Sequence, residues 1–254
     1  MILDKKVAVV MPAHNASTTL EQTWSEIPHE IVDEIILVDD YSSDDTVQKA
    51  RNLGIQYVIE HDRNKGYGGN QKSCYRKSLE LGVDIIVMLH PDYQYPPKLI
   101  YPMCYLIAQG LYPVVLGSRI LGGSALSDGM PVYKYISNRV LTFVENMFLG
   151  LKLSEYHTGY RAFDAKVLRQ IRFEENSDDF VFDNQILSQI TMANYEIGEI
   201  SCPAKYFPEA SSINLPRSIV YGLGVLKTIL THTLHRTGLI RFSRYARAQS
   251  GSNV

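Results

Sequence analysis

A short polar stretch around Asp92 carries the residue types best suited to chemistry in this sequence. It follows an apolar run, residues 84–89, with the composition of a buried parallel strand, and it precedes two prolines that suit the first turn of a helix. Such a strand delivers Asp92 to the carboxyl edge of a sheet, where open α/β sheets bind their ligands. With His90 and Gln94 beside it, this carboxylate can hold a divalent metal ion or a phosphate-bearing ligand. The alternative is that Asp92 only caps the next helix.

Three other strand-like runs also end in polar or charged residues, and the carboxyl ends of parallel strands meet at one edge of a sheet. We therefore expect these residues to lie near Asp92. Acidic ends and an arginine fit a nucleoside diphosphate, because carboxylates accept hydrogen bonds from base or ribose and hold a metal ion, while cations neutralise phosphate. The residues concerned are Pro12, His14, Asn15, Asp39, Asp40 and Arg119.

The loop 63–70 joins the third strand to the next helix and contains basic side chains and three glycines. Lys65 and Gly66 are predicted to bind the same ligand, since a glycine backbone can approach a ligand closely. The glycine spacing differs from that of a phosphate-binding loop, and the loop follows the third strand rather than the first. Neither an NTPase nor a dinucleotide-binding protein is therefore supported.

The elements that must position these residues alternate along the first half of the chain. Strands separated by helices of roughly 10 to 15 residues predict an α/β protein with a mostly parallel, Rossmann-like sheet flanked by helices. Beyond Arg119 the pattern changes to a long helix, a polar and aromatic segment (154–161), a second helix and a late strand. The predicted strands are 5–11, 34–38, 55–59, 84–89, 112–116 and 195–200, and the later helices are 132–149 and 183–194.

Composition limits the domain organisation and the partners. The chain has 254 residues, enough for one large domain with an extension, and its 25 basic against 27 acidic residues give no electrostatic case for nucleic-acid binding. No apolar run approaches the ~20 residues that span a bilayer, and the N-terminus enters a strand almost at once. The three cysteines lack metal-ligand spacing. We therefore expect a cytoplasmic protein without a signal peptide.

The C-terminal segment differs from the rest in charge. No acidic residue follows Glu209, whereas six basic residues lie between Arg217 and Arg247. The apolar helix predicted from Pro216 to about Ile240 has two interpretations, a helix packed on the sheet or an interfacial helix on an anionic membrane. The predicted division is a main domain over 1–212, with a first part (1–119) and a second part (120–212), and a basic amphipathic helix and tail over 213–254.

Five motifs carry a family resemblance. They occupy residues 11–15 (MPAHN), 37–46 (LVDDYSSDDT), 64–69 (NKGYGG), 92–97 (DYQYPP) and 117–119 (GSR). In order and spacing they resemble the family 2 glycosyltransferases of GT-A fold, and within them the dolichyl- and polyprenyl-phosphate sugar transferase branch. The resemblance covers about residues 5–210 and implies a nucleotide-sugar part over 1–119 and an acceptor part over 120–212. It implies a nucleotide-sugar donor carrying UDP or GDP, a divalent cation, and inversion at the anomeric carbon.

The resemblance also implies roles for individual residues. Asp92 matches the last aspartate of the family's Asp-x-Asp motif, and Gln94 matches a residue that can join the metal shell. Arg119 would face the diphosphate or the acceptor phosphate. The other implied donor-binding residues are Pro12 and His14 at the base, Val38 and Asp40 at the base and ribose, and Lys205 at the diphosphate.

One departure from the family pattern affects the metal. His90 replaces the first aspartate of Asp-x-Asp, so a nitrogen takes the place of a hard oxygen ligand. This exchange disfavours Mg²⁺ and suits Mn²⁺ better. The predicted metal ligands are Asp92, His90 and Gln94, with Mn²⁺ or Mg²⁺ as the cation.

The acceptor decides the mechanism. A lipid phosphate is already anionic and needs no general base, so positioning and charge neutralisation would do most of the work. A sugar hydroxyl would need a carboxylate to take its proton, and Asp183 or Glu155 would supply it. His157 is interpreted as a structural histidine. The cations expected to hold an acceptor phosphate are Arg119, Lys134, Arg139 and Arg161.

These expectations combine into one predicted function. We predict an inverting transferase that moves a sugar from a nucleoside diphosphate to a polyprenyl or dolichyl phosphate, peripherally at the inner face of the membrane. One alternative is the same fold acting on a hydroxyl of a soluble or polysaccharide acceptor. Another is a nucleotide-sugar-binding protein that has lost catalysis, which the incomplete Asp-x-Asp motif makes conceivable.

Overall fold

A computed structural model describes residues 1–206 and 215–248 of the chain. Strands and helices alternate up to β5 and then give way to a more helical half, as the sequence predicts. The strands are β1 (Val7–Ala13), β2 (Glu34–Asp39), β3 (Tyr57–Glu60), β4 (Ile85–Met88), β5 (Val114–Ser118), β6 (Arg161–Asp164) and β7 (Ile197–Ser201). The helices are α1 (Leu20–Ser25), α2 (Thr46–Asn52), α3 (Tyr67–Glu80), α4 (Ile100–Ala108), α5 (Val132–Leu149), α6 (Ala165–Gln170), α7 (Phe182–Met192) and α8 (Leu215–Arg236).

The seven described strands form one sheet in the order β3-β2-β1-β4-β6-β5-β7. All neighbouring pairs are parallel except those of β6, which is antiparallel to both β4 and β5. The predicted α/β class and mostly parallel sheet are therefore confirmed. Because β6 is antiparallel to both of its neighbours, β4 and β5 point in the same direction. The carboxyl ends of β1, β2, β4 and β5 therefore lie at one edge of the sheet.

The sequence analysis did not predict β6 or the short helix α6 after it. The strand has four residues, and its apolar positions are limited to Ala162 and Phe163. A run this short shows neither the alternation nor the apolar length that indicates a strand. The polar and aromatic segment over 154–161 thus leads directly into the centre of the sheet.

Helices cover both faces of the sheet, which explains why its central strands are apolar throughout. All seven residues of β1 are buried. Ala8 and Val10 belong to the core on one face, and Val7, Val9 and Met11 belong to the core on the other. This two-sided packing fixes the strand ends rigidly and leaves the polar residues after them at the carboxyl edge.

Helix α8 packs mainly against α5 and α7, and its Val225 and Ile229 join the core. The predicted boundary at 212/213 and the tail beyond residue 248 lie outside the described residues, so the division of the chain stays a prediction. Within the described ranges, no helix has the length and apolar content needed to cross a membrane.

Candidate functional site

A pocket of about 550 Å³ opens at the carboxyl edge of the sheet. The loop after β4, the end of β5 and the helices α5, α7 and α8 all contribute to its wall. The structure thus gathers the predicted metal motif, the arginine after β5 and one predicted acceptor cation around a single cavity. The predicted site residues that line it are His90, Asp92, Gln94, Arg119, Lys134 and Asp183.

The loop after β4 places Asp92 through a tight turn. Tyr93 has a φ of 57°, and the Asp92 carboxylate accepts a hydrogen bond from the backbone N–H of Gln94 at 3.1 Å. The backbone N–H of Lys205 donates to the Gln94 carbonyl at 2.9 Å. The Lys205 ammonium lies 4.3 Å from the centre of the Tyr93 ring, a cation–π contact. Lys205 therefore lies beside the metal motif, as its predicted role requires.

His90 is connected to Asp183 through a tyrosine hydroxyl. Tyr67 donates to Asp183 Oδ2 at 2.8 Å, and its oxygen lies 3.2 Å from His90 Nε2. Because the single Tyr67 proton goes to Asp183, the hydrogen-bond network assigns the His90 proton to Nε2 and leaves Nδ1 with a lone pair. Burial lowers the pKa of His90, so the imidazole is neutral. Gly159 permits this arrangement, since a Cβ there would lie 2.7 Å from His90 Nε2.

The donor set of this motif fits a divalent cation that a substrate helps to hold. Asp92 offers a carboxylate, His90 an imidazole nitrogen and Gln94 an amide oxygen. Within residues 1–206 and 215–248, no cluster of three or more acidic, histidine or cysteine side chains could hold a metal by itself. Mg²⁺ and related ions at phosphate-transfer sites commonly use one or two protein ligands together with phosphate oxygens. The residues therefore fit a cation completed by a diphosphate.

Arg119 is held in the pocket wall by Glu155. Its backbone N–H donates to Glu155 Oε2 at 2.8 Å, and its guanidinium donates to Oε1 and to the carbonyl of His157. Asn138 also donates to Glu155 Oε1, at 2.7 Å. Burial by itself would raise the pKa of Glu155, but the charge and hydrogen bonds of Arg119 outweigh it, and the pKa lies below the ordinary value. The paired charge also raises the pKa of Arg119 despite its burial.

The position of Glu155 therefore does not fit the role of general base that the sequence analysis considered for it. Its side chain is fully buried outside the pocket lining, and its ionised carboxylate already accepts several hydrogen bonds. A base must reach the proton that it abstracts. The geometry of Glu155 is instead that of a residue that orients Arg119.

Three of the predicted acceptor cations lie on α5 and β6. Of these three, Lys134 alone lines the pocket formed by the described residues. Burial and the nearby Arg119 charge lower the pKa of Lys134. Arg139 is exposed and donates to the carbonyl of Ser154 at 2.7 Å. Arg161 is fully buried, and its guanidinium donates to three backbone carbonyls and lies 3.5 Å from Asp183 Oδ1. Arg161 therefore links the segment 156–158 to α7 in the interior of the protein.

The predicted base and ribose residues lie at the same sheet edge but outside the pocket. Pro12 is buried within β1, and Val38 belongs to the core. Asp40 accepts hydrogen bonds from the backbone N–H groups of Lys65 (2.7 Å) and Gly66 (3.0 Å). His14 is exposed, and its Nδ1 lies 2.9 Å from the Asp40 carbonyl. Among these residues, only His14 and Lys65 expose their side chains to a ligand.

The glycines of the 63–70 loop face the protein rather than open space. A Cβ on Gly66 would lie 2.6 Å from the carbonyl oxygen of Asp178, and one on Gly68 would lie 2.3 Å from that of Ser177. The N–H of Gly68 donates to the Asp178 carbonyl at 2.7 Å. The close approach that these glycines allow is therefore between α3 and the segment before α7.

Several pocket residues were missed by the sequence analysis, and His157 lines the pocket although it was interpreted as structural. These residues come from segments far apart in the chain, so no local spacing relates them. Tyr67 and Tyr95 lie within two of the five motifs but were given no role. For the other tyrosines the only signal was an aromatic residue with a polar tip, which is also common in cores. The missed residues are Tyr67, Tyr95, Tyr133, Asn138, Tyr206 and Tyr221.

Four side chains form a ring of contacts, with His157 and Tyr221 in the pocket wall and Glu145 and Asn184 behind it. Asn184 donates to Glu145 Oε1 at 2.7 Å, Tyr221 donates to Asn184, and His157 Nδ1 lies 2.7 Å from the Tyr221 hydroxyl. His157 Nε2 lies 3.3 Å from Glu145 Oε2, and neither atom has a hydrogen-bond partner among the described residues. Burial raises the pKa of Glu145 to about 8 and lowers that of His157 to about 4. A neutral ring therefore ties α8 to α5 and α7.

Comparisons with known proteins agree with this geometry. The family model of glycosyl transferase family 2 matches residues 8–172. A UDP-N-acetylglucosamine–dolichyl-phosphate N-acetylglucosaminyltransferase of Methanococcus voltae is 25% identical over 244 residues, covering 88% of this chain and 97% of that protein. A dolichyl-phosphate hexose transferase of Haloferax volcanii is 28% identical over 224 residues, covering 84% of this chain and 92% of that protein.

Solved structures give the same fold. Glucosyl-3-phosphoglycerate synthase from Mycobacterium tuberculosis, crystallised with UDP, is similar with a TM-score of 0.68 at 19% identity, over 91% of this chain and 80% of that one. The same enzyme has also been crystallised with Mn²⁺ and UDP, and that structure gives a TM-score of 0.67. The chain therefore belongs to glycosyl transferase family 2 and is a glycosyltransferase with the GT-A fold.

Proposed function

We propose that the chain transfers a sugar from a UDP- or GDP-linked donor to a polyprenyl or dolichyl phosphate, with inversion at the anomeric carbon. The observation that carries this proposal is the mixed character of the pocket. It is lined by the cations Arg119 and Lys134 and also by apolar side chains of α5 and α8 such as Ile136 and Ile219. A phosphate attached to a hydrocarbon chain has this combination of charge and apolar surface. The names of the curated relatives point to the same acceptor class.

The donor would lie along the carboxyl edge from β1 to β4. His14 and Lys65 expose side chains there, Asp92 stands at the shared end of the two sites, and Lys205 is exposed beside it. Basic side chains at this position neutralise diphosphate charge. Val38, Pro12 and the Asp40 carboxylate would support the base-binding surface from below, since each is buried or hydrogen-bonded within the protein.

Positioning accounts for the chemistry of transfer to a phosphate. The acceptor oxygen is already anionic, so no side chain has to remove a proton from it. Arg119, fixed by Glu155, offers oriented N–H groups, and Lys134 adds a second positive charge at the pocket wall. Aligned cations lower the repulsion between the acceptor phosphate and the donor diphosphate and hold the attacking oxygen in line.

We propose that Asp92 and His90 hold a divalent cation with the donor diphosphate, with Gln94 as a further ligand. When bound, the cation neutralises charge on the leaving diphosphate. The nitrogen ligand favours Mn²⁺ over Mg²⁺. The His90 tautomer supports this role, because Tyr67 and Asp183 leave Nδ1 with its lone pair.

A hydroxyl acceptor is the second candidate, because Asp183 lines the pocket. Its carboxylate accepts hydrogen bonds from Tyr67 and Gln71, at 2.8 and 3.0 Å. Both carboxylate oxygens are engaged in this way, so a hydroxyl acceptor would have to displace one of these hydrogen bonds to reach them. The phosphate acceptor is therefore preferred. We propose that the chain meets its acceptor peripherally, at the inner face of a membrane.

The test is a transfer assay with purified protein, Mn²⁺ and radiolabelled UDP- and GDP-sugars. A short-chain polyprenyl phosphate, the corresponding unphosphorylated polyprenol and a soluble sugar serve as acceptors. Of these three acceptors, we expect only the polyprenyl phosphate to give a product. Product with the polyprenol or the sugar would favour the hydroxyl mechanism, and donor binding without transfer or hydrolysis would identify a protein that has lost catalysis.

A further inference from the structure

Helix α5 carries an unusual stripe of exposed apolar side chains. Its members recur at positions i, i+4, i+8, i+11 and i+15, which places them on one face of the helix. Each has 56–64% of its surface exposed, although residues of these types are usually buried. The stripe consists of Val132, Ile136, Val140, Phe143 and Met147.

Helix α8 carries a matching stripe. Ile219, Leu223, Leu226 and Leu230 follow one another at helical spacing and are 46–62% exposed. The opposite side of α8 packs into the protein through Val225 and Ile229. The helix is therefore anchored in the protein on one side and apolar on its open side.

The two stripes form one continuous surface, which we call the α5–α8 face. The helices contact each other and run in the same direction, because both N-terminal halves line the pocket and Arg236 at the end of α8 donates to the Phe148 carbonyl at 3.3 Å. Ile136, Val140 and Ile219 belong both to the stripes and to the pocket lining. An 18-residue helix is about 27 Å long, so the face extends from the pocket mouth over the length of a small domain.

The exposed charged side chains of helices α5 and α8 themselves are all basic. The only acidic residue of α5 is Glu145, which is buried, and α8 contains none. Arg139 and Lys227 are exposed on the flanks of the two stripes, whereas Arg217 lies on the far side of α8, where it and Lys227 line a second pocket with Glu175 and Asp179. Positive charge beside an apolar helix face is the combination that binds the interface of an anionic bilayer.

We propose that the α5–α8 face lies in the interfacial layer of an anionic membrane, with the pocket mouth opening toward the lipid. Resting on the proposed function, this orientation lets a polyprenyl phosphate enter with its phosphate leading while its hydrocarbon chain stays among the lipids. The apolar walls at Ile136, Val140 and Ile219 then continue the hydrocarbon environment up to the cations at Arg119 and Lys134.

A second copy of the chain fits this face less well than a membrane does. In a two-fold symmetric dimer the same patch meets itself, so Arg139 and Lys227 would approach their own counterparts. Like charges at such an interface repel. A second copy seated on both stripes would also cover the pocket mouth, whereas anionic lipid headgroups complement the charge and supply the acceptor.

Co-sedimentation with vesicles that contain no acceptor lipid tests the face alone. We expect the full chain to bind phosphatidylcholine vesicles only when they also contain phosphatidylglycerol, and to bind less at high salt. The double variant Phe143→Asp/Leu223→Asp should lower vesicle binding at least about tenfold, because it places two carboxylates in the middle of the stripes. Leu111→Asp is the matched control, since Leu111 is 56% exposed near the amino end of β5, away from the face.

Two results would overturn the proposal. One is vesicle binding by the double variant that equals that of the unaltered chain. The other is an unaltered chain that ignores vesicles but forms a dimer by light scattering, with the double variant monomeric, since this would assign the face to a second copy.

Transfer assays separate this proposal from the proposed function. Neither Phe143 nor Leu223 lines the pocket, so the double variant should match the unaltered chain with a short-chain, water-soluble polyprenyl phosphate. With a long-chain acceptor in vesicles it should lose at least about tenfold in rate. Equal loss in both assays would overturn the docking role. Vesicle binding without transfer by the unaltered chain would overturn the proposed function and leave the docking surface standing.

Discussion

The donor edge and the acceptor wall of this site are built in different ways. At the donor edge, the partners belong to successive strand–loop units and lie 21–26 residues apart, as when Asp40 accepts hydrogen bonds from Lys65, Gly66 and His61. At the acceptor wall, the contacting side chains come from segments far apart, as when Tyr221 of α8 contacts His157 and Asn184. The first kind of construction leaves a motif in the sequence, and the second kind does not.

The largest effect is expected from breaking the ion pair that joins the two regions. Arg119→Gln leaves the fully buried Glu155 without its cation, which should cost about 3–5 kcal/mol of unfolding free energy. It should also lower the transfer rate by at least about 10²-fold. The double variant Arg119→Gln/Glu155→Gln should recover most of the stability but none of the rate. Denaturant titration and transfer assays measure both, and an unimpaired rate in the double variant would remove Arg119 from the mechanism.

The metal motif on the donor side is tested by nucleotide binding. Asp92→Ala should abolish the metal-dependent binding of UDP or GDP, because it removes the one carboxylate of the motif. His90→Asp should preserve or strengthen it and shift the preference toward Mg²⁺. Calorimetric titration with and without Mn²⁺ measures the effect, with exposed Glu80→Ala as the control. Normal binding of donor and metal by Asp92→Ala would show that the site is assigned wrongly.

The ring on the acceptor side predicts a dependence of stability on pH. Burial raises the pKa of Glu145 to about 8 from its ordinary 4.5, so the folded chain keeps a proton that the unfolded chain loses, and stability falls as pH rises to about 8. Burial lowers the pKa of His157 from 6.5 to about 4, so its contribution is lost as pH falls from 6.5 toward 4. Above pH 6.5, of these two groups only Glu145 still changes the unfolding free energy with pH, by up to about 1.4 kcal/mol per pH unit.

Glu145→Gln should therefore remove a downward slope in unfolding free energy between pH 6.5 and 8. The amide keeps an oxygen that can accept the hydrogen bond from Asn184. Urea titrations across this range measure the slope, and Glu174→Gln, a change at an exposed carboxylate, should leave it intact. An unchanged slope in Glu145→Gln would mean that the ring carries a charge.

The smallest effect is expected at the hydroxyl that links His90 to Asp183. Tyr67→Phe should lower unfolding free energy by about 1 kcal/mol and weaken metal-dependent nucleotide binding by about tenfold, because nothing then selects the His90 tautomer. Exposed Tyr101→Phe is the control for loss of a tyrosine hydroxyl. If nucleotide binding is unaffected, the tautomer does not depend on Tyr67.

Sequence reasoning predicted the parts of the site that local order determines. Asp92 and Arg119 follow apolar runs, and parallel strands bring such positions to one edge, so their convergence could be predicted from the order of residues alone. Arg161 could not be placed in this way, because its burial depends on β6, a strand too short to recognise. The glycines of the 63–70 loop were assigned to ligand approach because nothing local reveals that the Asp178 carbonyl packs against them.

The ring that ties α8 to α5 and α7 also fixes the order in which the site can be completed during synthesis. Every residue of the sheet and of the donor edge precedes α8 in the chain, so a nascent chain can assemble them once Lys205 has emerged. Tyr221, the last member of the ring, emerges later. On the proposed function, the sugar-donor surface can therefore form first and the acceptor pocket last, after α8 has docked.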